Sequence, residues 1–453
     1  MAQKNATEVK KELAEKGVEL VEFIYHDFAG TYRGKIMLLS EIGSHLEDGM
    51  GITKAQPAST IRDEIVNVAG LTPVGEYRLV PDLNSMQILP YAPTVATFMC
   101  DYYTEDGQPL VFDSRVILQK VVKQFNEQGL FPVMTIENEF DLYEKAEDGN
   151  MVPYRPDVCF STASMDDVYT FLPELLHNLR AVGITPVEYY PEAGAGQHEL
   201  PVAPTMPIIA ADNEVRFKRI VKHTFAQHGL AATFAPKPNL ETAGSGAHIH
   251  LSLWNQEHTK NVLYQSDDSL KLSQLAYHFI GGLMEHINGL CALTCASVNS
   301  YQRLQPGQWS SAYAVFGRDN REAAVRIPSI FAGAKADSLN IELKVSDATA
   351  NVYLALAGIL AAGLDGIKQQ AMPDAQVDVD PATLSEQERQ KRHIKRLPSS
   401  LDQALEALKT DPLFEQLLTP TGLQLYTGVK EADVEYYASK SAAEIAESHR
   451  KFY

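Results

Sequence analysis

"FPVMTIENEFDLY", Phe131 to Tyr143, reads as a β-strand whose two glutamates, Glu137 and Glu139, stand two residues apart. On a strand that spacing aims both side chains at one face. The neighbouring Ile136 and Phe140 are apolar, so the opposite face packs on a core. "GAHIHLSLW", Gly246 to Trp254, repeats the geometry with His248 and His250. Strands of this kind alternate along the chain with helical stretches, Asp166 to Ala181 and Ala350 to Leu364 among them. That mixture predicts an α+β domain built on a curved sheet.

Working outward, Lys10 to Leu20 read as a short amphipathic helix, and "VELVEFIYHDFAGTYRGKIML" reads as a hairpin broken at Ala29 and Gly30. A small sheet domain therefore comes first. An Asp-Gly turn and a helix starting near Ser114 place the boundary near residue 107, giving domains 1–107 and 108–453. From Leu401 onward, Leu401, Leu405 and Leu408 fall at helical spacing and mark a packing helix. "GTYRGKI" at Gly30 to Ile36 is one residue short of a P-loop and lacks the hydroxyl residue after the lysine.

Composition narrows the functional class. Apolar residues make up 45% and charged residues 21% of the 453, which is globular usage and excludes a disordered chain. A net charge of −19 would repel a polyphosphate backbone, so no nucleic-acid partner is expected. The longest apolar run, Leu354 to Leu364, is shorter than the ~20 residues that span a bilayer, and no membrane partner is expected either. The N-terminus lacks the apolar stretch of a signal peptide. Four scattered cysteines (Cys100, Cys159, Cys291, Cys295) form no CxxC pair and read as buried thiols of a cytoplasmic protein.

"EAGAGQHE" sets Glu192 and Glu199 around small residues, in a stretch too glycine-rich for a helix and too charged for a core strand. "NIELKVSD" adds Glu342. Like charges this close raise one another's pKa unless a cation lies between them. An oxygen-rich set with one or two imidazoles suits magnesium or manganese better than zinc. For the acid pair the competing reading is a solvated sheet face; for the histidine pair, a satisfied core pair; for the whole set, an ion-pair network, which needs cations that cluster elsewhere in the chain. They lie in the segment Ser300 to Ser329, with Arg303, Arg318, Arg321 and Arg326. Arginine offers a planar fork of donors to carboxylates and phosphates. Gly244 and Gly246 let the backbone before the histidines approach a ligand closely.

Seven ordered motifs resemble the glutamine synthetase family over nearly the whole chain: "PDLNSMQILPYAP", "ENEF", "EAGAGQHE", "FAPKP" with "GSGAHIHLSLW", "NSYQRLQPG", "DNREAAVRIPS" and "IELKVSDATANVYLALAGILAAGLDGI". The resemblance implies an N-terminal β-grasp domain, a catalytic domain with a curved antiparallel sheet, and a homo-oligomeric ring such as a dodecamer. It also implies two or more Mg2+ or Mn2+ ions per subunit, one held by Glu139, Glu192 and Glu199 and another by Glu137, His248 and Glu342. Arg303 would hold the substrate α-carboxylate. Arg321 and Arg326 would hold phosphates, and His250 would lie beside the transferring phosphoryl group. Gly244 and Lys344 fall to the acid substrate, and Ser252 and Asn340 to the nucleotide. The implied reaction has a carboxylate attack the γ-phosphate of ATP, after which an amine displaces phosphate to give an amide.

Two features of ammonia-using members are missing. Their Asp-Gly-Ser-Ser loop reads "GITKAQPAST" here, and Trp309 replaces a glutamate shortly after the Pro-Gly of "QPGQWSSAY". Trp309 instead offers an apolar wall and a cation–π face to an organic amine. Ala243 replaces an asparagine of the acid pocket, and Lys344 replaces an arginine, keeping charge but losing the fork. The expected enzyme is an ATP-dependent glutamate–amine ligase. The alternatives are an ammonia-dependent glutamine synthetase, a phosphotransferase to another acceptor, and a catalytically silent structural or sensing relative.

Overall fold

The computed structural model describes residues 5–155, 158–374 and 376–453. Ten of its strands form one sheet and six form another. The smaller sheet holds β1 (Leu20–His26), β2 (Tyr32–Leu38), β3 (Met50–Thr53), β4 (Glu76–Pro81), β5 (Gln87–Leu89) and β6 (Ala92–Tyr103). Its order is β2-β1-β6-β4-β3, with β5 on β6 and a parallel β1–β6 pair at the centre. The hairpin read around Ala29 and Gly30 is β1–β2, paired antiparallel from Leu20–Leu38 to His26–Tyr32.

The preceding helix runs Ala6–Glu15 rather than Lys10 to Leu20. Gly17, at φ +72°, ends it, and Leu20 already belongs to β1. The stretch read as one helix from Asp166 to Ala181 is two, Thr162–Val168 and Leu172–Ala181. Pro173 explains the break, because a prolyl ring fits a first helical turn and not an interior one. Asp113 caps the helix Ser114–Glu127 through the Val116 N–H.

The larger sheet is ordered β16-β13-β14-β15-β12-β7-β10-β9. Its strands are β7 (Phe131–Lys145), β8 (Met151–Pro153), β9 (Tyr190–Pro191), β10 (Gln197–Pro201), β11 (Ala231–Thr233), β12 (Ala247–Trp254), β13 (Tyr313–Arg318), β14 (Ala323–Ile327), β15 (Ile341–Leu343) and β16 (Lys395–Arg396). β8 and β11 flank the end of β7. All named pairs are antiparallel except β13–β14, so the antiparallel expectation fails at that one ladder.

Helices Gln274–Thr294 and Val352–Gln369 pack closely in the core, where an added Cβ on Gly282 would lie 2.1 Å from the Ala362 carbonyl. Val352–Gln369 is long and apolar enough to cross a membrane, yet 78% of it is buried inside the protein, as befits a core helix. Cys100, Cys291 and Cys295 are buried, but Cys159 is exposed, contrary to the expectation for all four.

The β1–β2 turn packs against the loop before helix Val352–Gln369 and against Lys430. Gly30 sits at φ +97°, and a Cβ there would fall 2.2 Å from the Thr349 carbonyl oxygen. Beside it, Asn351 Nδ2 donates to the Asp27 carbonyl (2.9 Å) and the fully buried Lys430 donates to the Ala29 carbonyl (2.9 Å).

Candidate active site

Strand register decides which side chains meet. β7 sets Glu137 opposite His248 of β12 and Glu139 opposite Glu199 of β10. β12 sets His250 opposite Glu342 of β15, and β15 sets Glu342 opposite Arg326 of β14. Directly opposed residues of antiparallel strands share a face, with Cβ atoms about 5 Å apart. Residues far apart in the chain thus form one polar row across five strands, on the face turned away from Ile136 and Phe140.

The row lines a cavity of about 380 Å³. Its walls bring together Glu137, Glu139, Glu192, Glu199, His248 and Glu342 with Arg303, Arg321, Arg326 and Lys344. Gly244 and Trp309 also line it. Three of the four clustered arginines therefore lie with the acids in space, while Arg318 stands exposed beside Asp319, 3.7 Å away. Arg326 Nη1 is 2.8 Å from Glu342 Oε2, and Lys344 Nζ is 3.7 Å from Glu342 Oε1. His250 and Asn340 sit at the edge of this group. His250 Nε2 is 3.1 Å from Glu137 Oε2, while its Nδ1 is hydrogen-bonded to Asn340 Oδ1 at 2.8 Å. Ser252, two residues farther along β12, accepts from Trp254 Nε1 at 2.9 Å and stands apart from the cavity wall.

"EAGAGQHE" is a hairpin turn leading into β10, so its second half is a buried strand despite its charge. Gly196 takes φ +73°, and a Cβ there would fall 2.6 Å from the Leu142 carbonyl oxygen. Gln197 ties the turn to the acids. Its Nε2 donates to Glu139 Oε2 (2.8 Å), Ser245 Oγ (3.0 Å) and the Gly244 carbonyl (3.1 Å), while its Oε1 accepts the Gly194 N–H (2.6 Å). Gly246 N–H also donates to Glu139 Oε2 (3.0 Å). The glycines before the histidines make room for protein rather than for a ligand. A Cβ on Gly246 would lie 2.6 Å from Arg303 Nη2, and one on Gly244 would lie 2.4 Å from the Pro236 carbonyl oxygen.

Sequence reasoning passed over Gln197 inside its own motif. It also missed Asp141, which continues the two-residue period of Glu137 and Glu139 and accepts Ser245 Oγ–H at 2.7 Å. Glu241, Phe160 and Tyr190, which also line the cavity, had no such signal.

The electrostatics divide the acids. Burial, then the neighbouring Glu139 and Glu137, push Glu199 up to about 9. Burial likewise raises Glu139. Burial works against the charge of Glu137 too, but the cationic His250 outweighs it and holds Glu137 below its ordinary value. His250 is pushed up to about 9, because Glu137 and Glu342 overcome its burial. His248 goes the other way. Burial and the charges of Lys344 and Arg303 hold it well below its usual range, so it stays a neutral imidazole with a lone pair to give.

Glu199 and Glu139 are thus crowded buried acids, Glu139 raised even with the charges of Arg303 and Lys344 nearby, and a divalent cation relieves that crowding. The donor set also fits. Glu137, His250 and Glu342 place ligand atoms within 4.8 Å of one another, so His250 and not the expected His248 completes the compact trio. Yet cationic His250 has no lone pair to give, whereas neutral His248 has its Nδ1 3.6 Å from Glu342 Oε1 and 3.8 Å from Glu139 Oε1. Carboxylate oxygens with one imidazole suit a hard ion.

Comparison with known proteins covers nearly the whole chain. The family described as glutamine synthetase, catalytic domain, matches residues 111–448, and the glutamine synthetase N-terminal domain matches 4–110. A γ-glutamylpolyamine synthetase, GlnA3, of Streptomyces coelicolor is 32% identical over 418 residues, covering 92% of this chain and 89% of that protein. A glutamine synthetase of Pyrococcus abyssi is also 32% identical, covering 91% and 90%. Among solved structures, a novel glutamine synthase homolog superposes with a TM-score of 0.86 at 30% identity, covering 96% of this chain and 99% of its own. A GmaS–ADP complex gives 0.83 at 29% identity, covering 96% and 97%.

Proposed function

The chain belongs to the glutamine synthetase family, and from that premise we propose that it is an ATP-dependent ligase that joins glutamate to an organic amine as a γ-glutamyl amide. The observation that carries this reading is the pairing of two features in one cavity. The cavity holds the acid–arginine row, and its wall is completed by Trp309, 70% exposed, where ammonia-using members have an acid. An indole face attracts an alkylammonium group and also packs against its carbon chain, an apolar contact that an ammonium ion lacks. The similarity to a γ-glutamylpolyamine synthetase fits an amine acceptor, while the equal identity to a glutamine synthetase leaves the choice to the Trp309 wall.

Arg303 is 3% exposed and is held by the Ser346 carbonyl (3.3 Å), which fixes its guanidinium for the α-carboxylate of an amino acid. Arg321, Arg326 and Lys344 supply fixed positive charge for phosphates and for the charge that develops on phosphoryl transfer. Divalent ions held by Glu139, Glu192 and Glu199, and by Glu137, His248 and Glu342, would neutralise phosphate oxygens and orient them for in-line transfer. His250, kept cationic by Glu137, adds a donor beside that position. The carboxyl is activated as an acyl phosphate and the amine displaces phosphate, so no protein nucleophile is required.

Assembly as a homo-oligomeric ring belongs to the same proposal. Edge strand β2 leaves Ile36 and Leu38 more than half exposed, an apolar edge for a neighbouring subunit to cover. The deciding experiment incubates the protein with ATP, Mg2+ or Mn2+, glutamate and either ammonia or a panel of primary amines, and identifies products by mass spectrometry. γ-Glutamyl amides are expected. A strong preference for ammonia would overturn the choice of amine, and ADP formed without an amide would point to a phosphotransferase.

A further inference from the structure

The segment Gly307–Ser311 reaches the cavity in a conformation that needs support. Trp309 takes φ +57° and Ser311 φ +63°, a left-handed region that bulky side chains rarely occupy. The support is a single acid outside the family's motif roles. Trp309 N–H donates to Glu322 Oε1 at 2.7 Å. Glu322 is 8% exposed, so its carboxylate requires partners, and the backbone N–H groups of Trp309 and Ser311 are among them. Its own position is fixed by Asn320, whose Oδ1 accepts the Glu322 N–H (3.0 Å) and whose Nδ2 donates to the Val377 (2.7 Å) and Val379 (3.1 Å) carbonyls. Beyond Trp309 the segment is tied down again, by Ser311 Oγ–H to the Ala323 carbonyl (2.8 Å) and Ser310 Oγ–H to the Arg303 carbonyl (2.7 Å).

Glu322 therefore stands between two parts of the cavity wall. Arg321 precedes it in the chain, and Trp309 hangs from its carboxylate. Resting on the ligase reading above, we propose that Glu322 is the positioning residue for amine recognition: it holds the Trp309 segment over the cavity through the Trp309 N–H. It acts as a hydrogen-bond acceptor, so its charge is dispensable and its oxygen is not. Loss of the acceptor frees the segment and weakens amine binding, while Arg303 and the acid row keep their own supports and continue to bind glutamate and nucleotide.

The test compares wild type with Glu322→Ala, Glu322→Gln, Trp309→Ala and the Glu322→Ala/Trp309→Ala double variant. Steady-state kinetics use n-butylamine, putrescine and ammonium chloride as acceptors. Glu322→Ala should raise the KM for the preferred amine by about tenfold or more while kcat and the KM for ATP and glutamate stay within about twofold. Glu322→Gln, whose amide oxygen still accepts the N–H, should restore the wild-type KM. The double variant should be no worse than Trp309→Ala, because both remove one interaction. An unchanged amine KM in Glu322→Ala overturns the inference, and so does a Gln variant as impaired as the Ala variant. A second readout needs no turnover. The protein has two tryptophans, Trp254 and Trp309, so Trp254→Phe leaves Trp309 as the sole reporter. In that background Glu322→Ala should add a fast nanosecond component to the Trp309 anisotropy decay and Glu322→Gln should not; identical decays would refute the anchoring. If wild type converts none of these acceptors, the ligase reading falls, and the anisotropy alone decides whether Glu322 holds Trp309.

Discussion

Arg326 and Glu342 are direct partners across the β14–β15 ladder, with Nη1 and Oε2 2.8 Å apart and the glutamate 1% exposed. An arginine assigned to phosphate is therefore engaged with an acid assigned to metal. Each sets the position of the other before any ligand arrives. That arrangement makes Arg326 both a preorganised donor and the strongest local partner of a buried carboxylate. Arg326→Ala should lower turnover about 10²- to 10³-fold, the usual loss for one preorganised donor. Arg326→Lys should recover part of it, since lysine keeps the charge without the fork. Phosphate release at saturating ATP, glutamate and amine measures both. Activity of the Ala variant within about threefold of wild type would remove Arg326 from the mechanism.

Crowded buried acids should make the fold metal-responsive. Glu199 faces Glu139 across β10–β7, and both are buried. Free Mn2+ at about 100 times its Kd should stabilise the protein by about 2.7 kcal/mol, seen as a rise in Tm. Glu199→Gln removes a charge that burial and Glu139 oppose, so the metal-free variant should melt no lower than wild type while losing most of the Mn2+-induced rise. Absence of any Mg2+ or Mn2+ effect on wild-type Tm would break the assignment of these acids.

Gln197 lines the cavity and fixes Glu139, the Gly194 turn and Ser245 at once. Outer residues that orient metal ligands typically contribute 10- to 100-fold in affinity or activity, about what Gln197→Ala should cost in Mn2+ affinity. Gln197→Glu should be worse, because it adds a fourth acid beside Glu139. Calorimetric titration with Mn2+ checks the order, and equal affinities for all three proteins would show that Gln197 is merely packed there.

Much of this site was legible because strand periodicity is local. The spacing of Glu137 with Glu139 and of His248 with His250 defines a shared face before any partner strand is known. What periodicity cannot supply is register. Nothing between residues 137 and 342 announces that Glu137 will meet His248 or that Arg326 will meet Glu342; only the long-range ladders do so. The charged strand Gln197–Pro201 was misread for a related reason. Burial of Glu199 runs against residue-type statistics, and it is tolerated where acids are gathered for a purpose. The slipped first helix and the divided Thr162–Ala181 region are local matters, settled by Gly17 and Pro173. Glu322 had no sequence signal, because its partner is a backbone N–H thirteen residues earlier.

Far from the cavity, His286 couples three helices to pH. It lies on Gln274–Thr294 with Nδ1 2.7 Å from Asp411 Oδ2 and Nε2 3.3 Å from Asp365 Oδ2, and Glu285 lies beside it. Asp411 caps, through the Leu413 N–H (3.0 Å), the first of two helical segments in Pro412–Tyr437, which break at Thr419, and Asp365 belongs to Val352–Gln369. Burial works against the imidazolium, but the hydrogen bonds and charges of Asp411 and Asp365 outweigh it and raise His286 above 6.5. A raised folded-state value means that the proton stabilises the fold. The contribution is complete below the unfolded value of about 6.5 and is lost as pH rises through the folded one, by about 1.4 kcal/mol for each unit of difference. Buried His26 and His449, held down to about 3 and about 4 chiefly by desolvation, act on the acid side, where stability falls as the unfolded chain takes up protons below about 6.5. His286→Gln should therefore lower Tm most at slightly acid to neutral pH, with the gap from wild type narrowing as pH rises through the raised folded-state value and the acid-side decline retained. Thermal melts of both proteins across that range provide the check. A gap that stays constant or widens with pH would mean that His286 is neutral in the fold.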